Sequence, residues 1–142
     1  MKLYLKILLV VLLLLLDQAA KYAAIHFLIV PIKILPFFSL YYTKNTGIAF
    51  SLPFPPLILI IATFLFLLGV GFFLFRKKHG VQRETALSFL LAGGIGNLID
   101  RVFVGGVIDF LSFWSFPIFN LADTFITVGI ALWIFGEVFG EE

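Results

Sequence analysis

The chain contains no cysteine. That excludes disulfides, thiolate-bound metal and a cysteine nucleophile. Its two histidines, His26 and His79, lie far apart without ligand spacing, so neither a metal nor any other cofactor is expected. Charge is equally scarce, at 13% of 142 residues against 62% hydrophobic, with a mean hydropathy of +1.15. Soluble domains carry about 45–50% apolar residues, so this composition excludes one and identifies an integral membrane protein. The net charge of +2 rests partly on Arg76, Lys77, Lys78 and Arg83, which cluster between apolar segments. Membrane topology accounts for that cluster, and nucleic acid is not an expected partner.

What is present is a set of apolar blocks. The first spans about residues 3–27, including "ILLVVLLLLL", and begins like a signal peptide with Lys2 and Lys6. No small-residue cleavage site follows. The chain continues through the helix-favouring "DQAAKYAA", which predicts a retained membrane helix. Further helices are expected at about 57–75, 84–100 and 119–139. The third carries Gly93, Gly94 and Gly96, read as close-packing positions because no nucleotide-binding signature surrounds them. These blocks make residues 1–142 a single all-α membrane domain of four transmembrane helices. The Lys/Arg asymmetry favours both termini and the 76–83 loop in the cytoplasm.

Two outer connections stand out. "VPIKILPFFSLYYTKNTGIAFSLPFPP" is rich in β-branched and aromatic residues and is punctuated by proline. It predicts a small extracytoplasmic β-sheet at about 32–52, with its aromatics at headgroup level. The second, about 102–118, is expected to lie close by as a short, mobile outer flap between helices 3 and 4, with Asp109 on a loop.

Every Asp (17, 100, 109, 123) and every Asn (45, 97, 120) lies in or beside an apolar stretch. An Asp at the centre of a membrane helix costs about +2.5 to +3.5 kcal/mol, so each marks a functional candidate. Helical rise places Asp17, Asp100 and Asp123 near one outer level. Spacing puts Asp17 with Lys21, Asn97 with Asp100 and Arg101, and Asn120 with Asp123 each on one helical face. Asp17, Lys21, Asp100 and Arg101 have two open readings, as ion pairs holding the bundle or as members of the site. Asp109 and Asp123 differ, because no base lies within a helical turn of either. Two acids without dedicated bases point to a pair sharing a proton.

The blocks "DQAAK" (17–21), "KNTGIAFSL" (44–52), "GGIGNLIDR" (93–101), "GGVIDF" (105–110) and "FNLADTFITVG" (119–129) resemble, in order, the motifs of the bacterial lipoprotein signal peptidases, or signal peptidase II. The resemblance covers nearly the whole chain. It implies an inner-membrane aspartyl endopeptidase that cuts diacylglyceryl-modified prolipoproteins just before the lipidated cysteine, its active site toward the outer leaflet. Asp109 and Asp123 occupy the positions of the family's catalytic acids. The pocket-supporting positions fall on Asp17, Lys21, Asn45, Gly47, Asn97, Asp100, Arg101 and Asn120. The implied partners are the prolipoprotein and membrane lipid, with the chain itself a monomer. The competing readings are a small proton-coupled transporter using intramembrane carboxylates, and a structural helix bundle that binds a partner.

Overall fold

A computed structural model describes residues 1–47, 52, 54–76 and 80–139. Its elements run α1 (Leu3–Phe27), β1 (Ile32–Leu35), β2 (Phe38–Asn45), α2 (Pro56–Arg76), α3 (Val81–Phe103), β3 (Val107–Phe113) and α4 (Leu121–Phe139). All four helices are long and apolar enough to cross a membrane. Residues 48–51 of the expected β region and 77–79 of the basic loop lie outside the described residues.

Helix α3 is the hub. Helices α1, α2 and α4 each pack on it, and 61% of its apolar stretch is buried, against 22% or less for the others. The reason is its run of small residues. In lipid, apolar surface alone does not drive helices together, so close backbone approach must supply the packing. A Cβ on Gly93 would meet the Ala122 carbonyl oxygen and Ile126 of α4, one on Gly94 would meet Leu67 of α2, and one on Gly96 would meet Asp17 of α1. Consecutive glycines of one helix therefore admit three different neighbours. Below them, Val10, Leu67, Val70, Leu74, Leu87, Leu90 and Leu91 form the apolar core.

The helix ends follow local chemistry. Helix α1 ends ahead of Pro31, whose preceding residue is pushed toward extended backbone. Helix α2 starts on Pro56, where a missing N–H costs nothing. Helix α3 runs from 81 to 103, longer than the expected 84–100. Helix α4 starts at Leu121 rather than 119 because Asn120 caps it. The Asn120 side-chain oxygen accepts from the Asp123 N–H at 2.9 Å, and an Asp123 carboxylate oxygen accepts from the Asn120 N–H at 3.3 Å. This is a reciprocal capping box.

The sheet has the antiparallel order β1-β2-β3. The connection between α3 and α4 is thus not simply a flap, and Asp109 is not on a loop. Residues 107–113 form a full strand, with Val107 to Phe110 buried. The sequence "VIDF" has the β-branched and aromatic character that a half-buried ladder favours. Its register pairs Thr43 with Asp109 and Asn45 with Val107. Gly105, at φ +75°, makes the turn from α3 into β3. After β3 the chain doubles back, and Phe119 pairs with Leu111. That return carries Asn120 alongside Asp109.

Candidate active site

Helices α1, α3 and α4 and strands β2 and β3 meet at one polar cluster. Its first half is an ion triad. Lys21 Nζ lies 2.9 Å from Asp17 and 2.8 Å from Asp100, with all three side chains at most 2% exposed. Each carboxylate then fixes backbone. Asp17 accepts from the N–H of Ala122 at 2.8 Å, satisfying a free amide in the first turn of α4 and placing negative charge at that helix's positive end. Asp100 accepts from the N–H of Ile108 at 3.0 Å, seating β3 one residue before Asp109. Of the two readings open for Asp17, Lys21 and Asp100, the geometry favours the structural one.

The second half contains Asp109 and Asp123. Asn120 Nδ2 donates to Asp109 at 2.7 Å and to the Asn97 side-chain oxygen at 3.2 Å. Asn97 Nδ2 donates in turn to Asp123 at 2.8 Å. The two acids thus stand at the ends of a relay of two amides. Lys21 also donates to the Asn97 oxygen at 3.1 Å, which fixes the orientation of that amide and couples the triad to the relay. Asn45 hydrogen-bonds to Asp109, and its oxygen accepts from the N–H of Gly47 at 3.0 Å. Among the described residues, neither Asp109 nor Asp123 forms an ion pair.

Arg101 departs from the ion-pair expectation. It lies within electrostatic reach of Asp123, Asp109 and Asp100, yet among the described residues it has no hydrogen-bond or ion-pair partner. The guanidinium is left half-exposed beside the acids. Asp109, on β3, has its pKa raised to about 7, first by burial and second by the negative charge of Asp123. Hydrogen bonds from Asn120 and Asn45 and the charge of Lys21 oppose that rise. Such a group changes protonation near neutral pH, as acid–base chemistry requires.

Two features escaped the sequence reading. Gln18, next to Asp17, donates to Asp17, the Gly96 carbonyl and Asp100 at 3.2–3.4 Å. The other end of the bundle also carries buried charge. Lys6 Nζ lies 2.7 Å from Glu84 and donates to the Leu74 carbonyl at 3.0 Å, tying α1, α2 and α3 together. By sequence position Lys6 is a topology signal and Glu84 a helix start, and only the packing of the helices brings them together. The intervening stretch of α3, residues 85–96, carries no charge, so the two clusters are separated by about 20 Å of apolar helix.

The fold and cluster define a multi-pass membrane protein with a polar site centred on carboxylates and amides. Residues 9–139 match the family model described as signal peptidase (SPase) II. A lipoprotein signal peptidase of Thermodesulfovibrio yellowstonii is 39% identical over 145 residues, covering 95% of each chain. One from Mesorhizobium japonicum is 42% identical over 116 residues, covering 77% of this chain and 69% of its own. A bacterial membrane enzyme solved in meso at 1.9 Å superposes with a TM-score of 0.87 at 29% identity, covering 98% of this chain and 96% of that one. The chain belongs to the signal peptidase II family and is, by that membership, a membrane peptidase.

Proposed function

We propose that this chain is an aspartyl endopeptidase that removes signal peptides from diacylglyceryl-modified prolipoproteins, cutting just before the lipidated cysteine. One contrast carries the reading. Of the four aspartates, Asp17 and Asp100 are both ion-paired to Lys21, whereas Asp109 and Asp123 face each other across an amide relay without an ion pair among the described residues.

Peptide hydrolysis needs a base for water and an acid for the carbonyl, and two carboxylates with one proton supply both. Like charges disfavour double ionisation, which retains that proton near neutral pH. The ionised acid takes a proton from water as its oxygen attacks the scissile carbonyl, and the protonated acid donates to the carbonyl oxygen. Collapse of the tetrahedral intermediate breaks the C–N bond, and a proton passes to the departing cysteine amine. Asn97 and Asn120 hold the carboxylates in place. Arg101, with free donors, and Asn45 and Gly47 on the strand side bind substrate backbone that water cannot solvate at this depth.

In this reading the protein is a monomer in the bacterial inner membrane. Both termini are cytoplasmic and the site lies toward the outer leaflet, where the substrate's acyl chains stay in lipid. A proton-coupled transporter would need a polar path through the bundle, and the uncharged stretch 85–96 of α3 offers none. The test is cleavage of a diacylglyceryl-modified precursor beside its unlipidated form by purified protein in bilayers. Cleavage of the modified form alone is expected, and equal rates would overturn the substrate assignment.

A further inference from the structure

The end of the sheet remote from Asp109 holds a cavity of about 340 Å³, lined by residues that include Lys33, Phe37, Ser39, Ser112 and Trp114. Strand register makes it more than a gap between side chains. Lys33 pairs with Ser39, and Ser39 pairs with Ser112. Cross-strand partners project to the same face, so an ammonium and two hydroxyls form one row across all three strands. Asp109 lies three residues from Ser112 on the same strand and so points from the opposite face. The row is separate from the acids, about 10 Å away along β3.

Among the described residues the Lys33, Ser39 and Ser112 side chains have no hydrogen-bond or ion-pair partner. The sequence contains no acidic residue between Asp17 and Glu84, so Lys33 has no counter-ion along its own sheet hairpin. The cavity's exposed apolar lining is aromatic and aliphatic: Trp114 is 83% exposed, and Leu35 and Phe37 are exposed as well. Aromatic and aliphatic side chains set so, just past the ends of membrane-spanning helices, belong at the headgroup layer. The Trp114 N–H donates to the Phe37 carbonyl at 2.9 Å, which ties the β1–β2 turn to the end of β3 and closes the cavity wall.

We propose that this cavity binds the phosphate of an anionic glycerophospholipid, with Lys33 supplying the charge and Ser39 and Ser112 donating hydroxyl hydrogen bonds. Trp114 and Phe37 pack on the glycerol and upper acyl carbons. The bound lipid fixes the sheet at the membrane surface, at the height that the acids on its other side require. The site does not depend on the peptidase reading, since it rests on the face turned away from Asp109.

The test titrates the purified full chain, carrying Trp133→Phe so that Trp114 is the sole tryptophan, in uncharged detergent micelles. The probes are phosphatidylglycerol, diacylglycerol with the same chains, and glycerol 3-phosphate. Phosphatidylglycerol is expected to give a saturable blue shift of Trp114 emission that diacylglycerol does not give. Lys33→Gln weakens it about fivefold, the worth of one basic residue near anionic lipid. Lys33→Arg preserves it. A Lys33→Gln titration identical to wild type, or equal shifts with diacylglycerol, overturns the site. Glycerol 3-phosphate binding as tightly as the lipid overturns the lipid source. An unchanged lipid titration with a raised KM for precursor assigns the cavity to peptide and also overturns the proposal.

Discussion

Asn120 and Asp109 are joined at 2.7 Å, side-chain amide to carboxylate, while the backbone N–H of the same Asn120 reaches Asp123 at 3.3 Å. One residue therefore caps α4 and links two acids carried by different elements. Asn120→Ala removes both roles, so it should lower stability by about 0.5–2 kcal/mol through the lost cap and kcat by about 10²-fold through the lost positioning donor. Asn120→Ser keeps a capping oxygen but lacks the amide that donates to Asp109 and Asn97, so thermal melting should recover part of the loss while activity does not. Paired melting and turnover measurements check the split.

The raised pKa of Asp109, about 7, fixes the direction of a pH effect on stability. In the folded state the group holds its proton at pH values where the unfolded chain has lost it. Stability therefore falls as pH rises from the ordinary carboxylate range through about 7. Asp109→Asn cannot ionise and should raise the melting temperature more at pH 8 than at pH 5, measured by calorimetry in detergent. Removing the Asn120 hydrogen bond, which opposes the rise, should move the Asp109 limb of the pH–rate profile upward.

Lys21 holds two buried carboxylates that in turn fix Ala122 and Ile108. Lys21→Met leaves both charges without their base and should cost about 3–5 kcal/mol. A melting temperature equal to wild type would contradict the structural role given to the triad.

The glycines of α3 supply a controlled comparison with Gly69 of α2. A Cβ on Gly96 meets the Asp17 carboxylate, whereas one on Gly69 meets nothing within 4 Å. Gly96→Ala should destabilise by about 1–3 kcal/mol. Gly69→Ala should stabilise by about 0.4–1 kcal/mol, since it only restricts the unfolded chain. Chemical unfolding of both variants decides this.

The four membrane helices were legible because composition and length suffice to mark them, and α1 fell on 3–27 as expected. The sheet was legible from β-branched and aromatic content, but its third strand was not. "VIDFLSF" pairs with residues more than sixty positions away, and a single sequence does not display such a partner. The N-terminal boundary of α4 could have been found, since "NLAD" puts a capping Asn three residues before an acid. Lys6 with Glu84 left no such signal. Each sits at the end of an apolar block, where an exposed charge is the ordinary reading, and only the packing of α1 on α3 buries them. Helical spacing groups the polar residues by face, but it could not show that Lys21 pairs with both Asp17 and Asp100 while Asp109 and Asp123 form no ion pair among the described residues.

The most direct measurement is single-turnover cleavage of a diacylglyceryl-modified prolipoprotein by wild type, Asp109→Asn and Asp123→Asn, each shown to be folded by its melting transition. Loss of general acid or base function should slow each variant by about 10²–10⁴-fold, while Asp17→Asn, if folded, retains far more activity. Cleavage at the wild-type rate by either Asp109→Asn or Asp123→Asn would contradict the account.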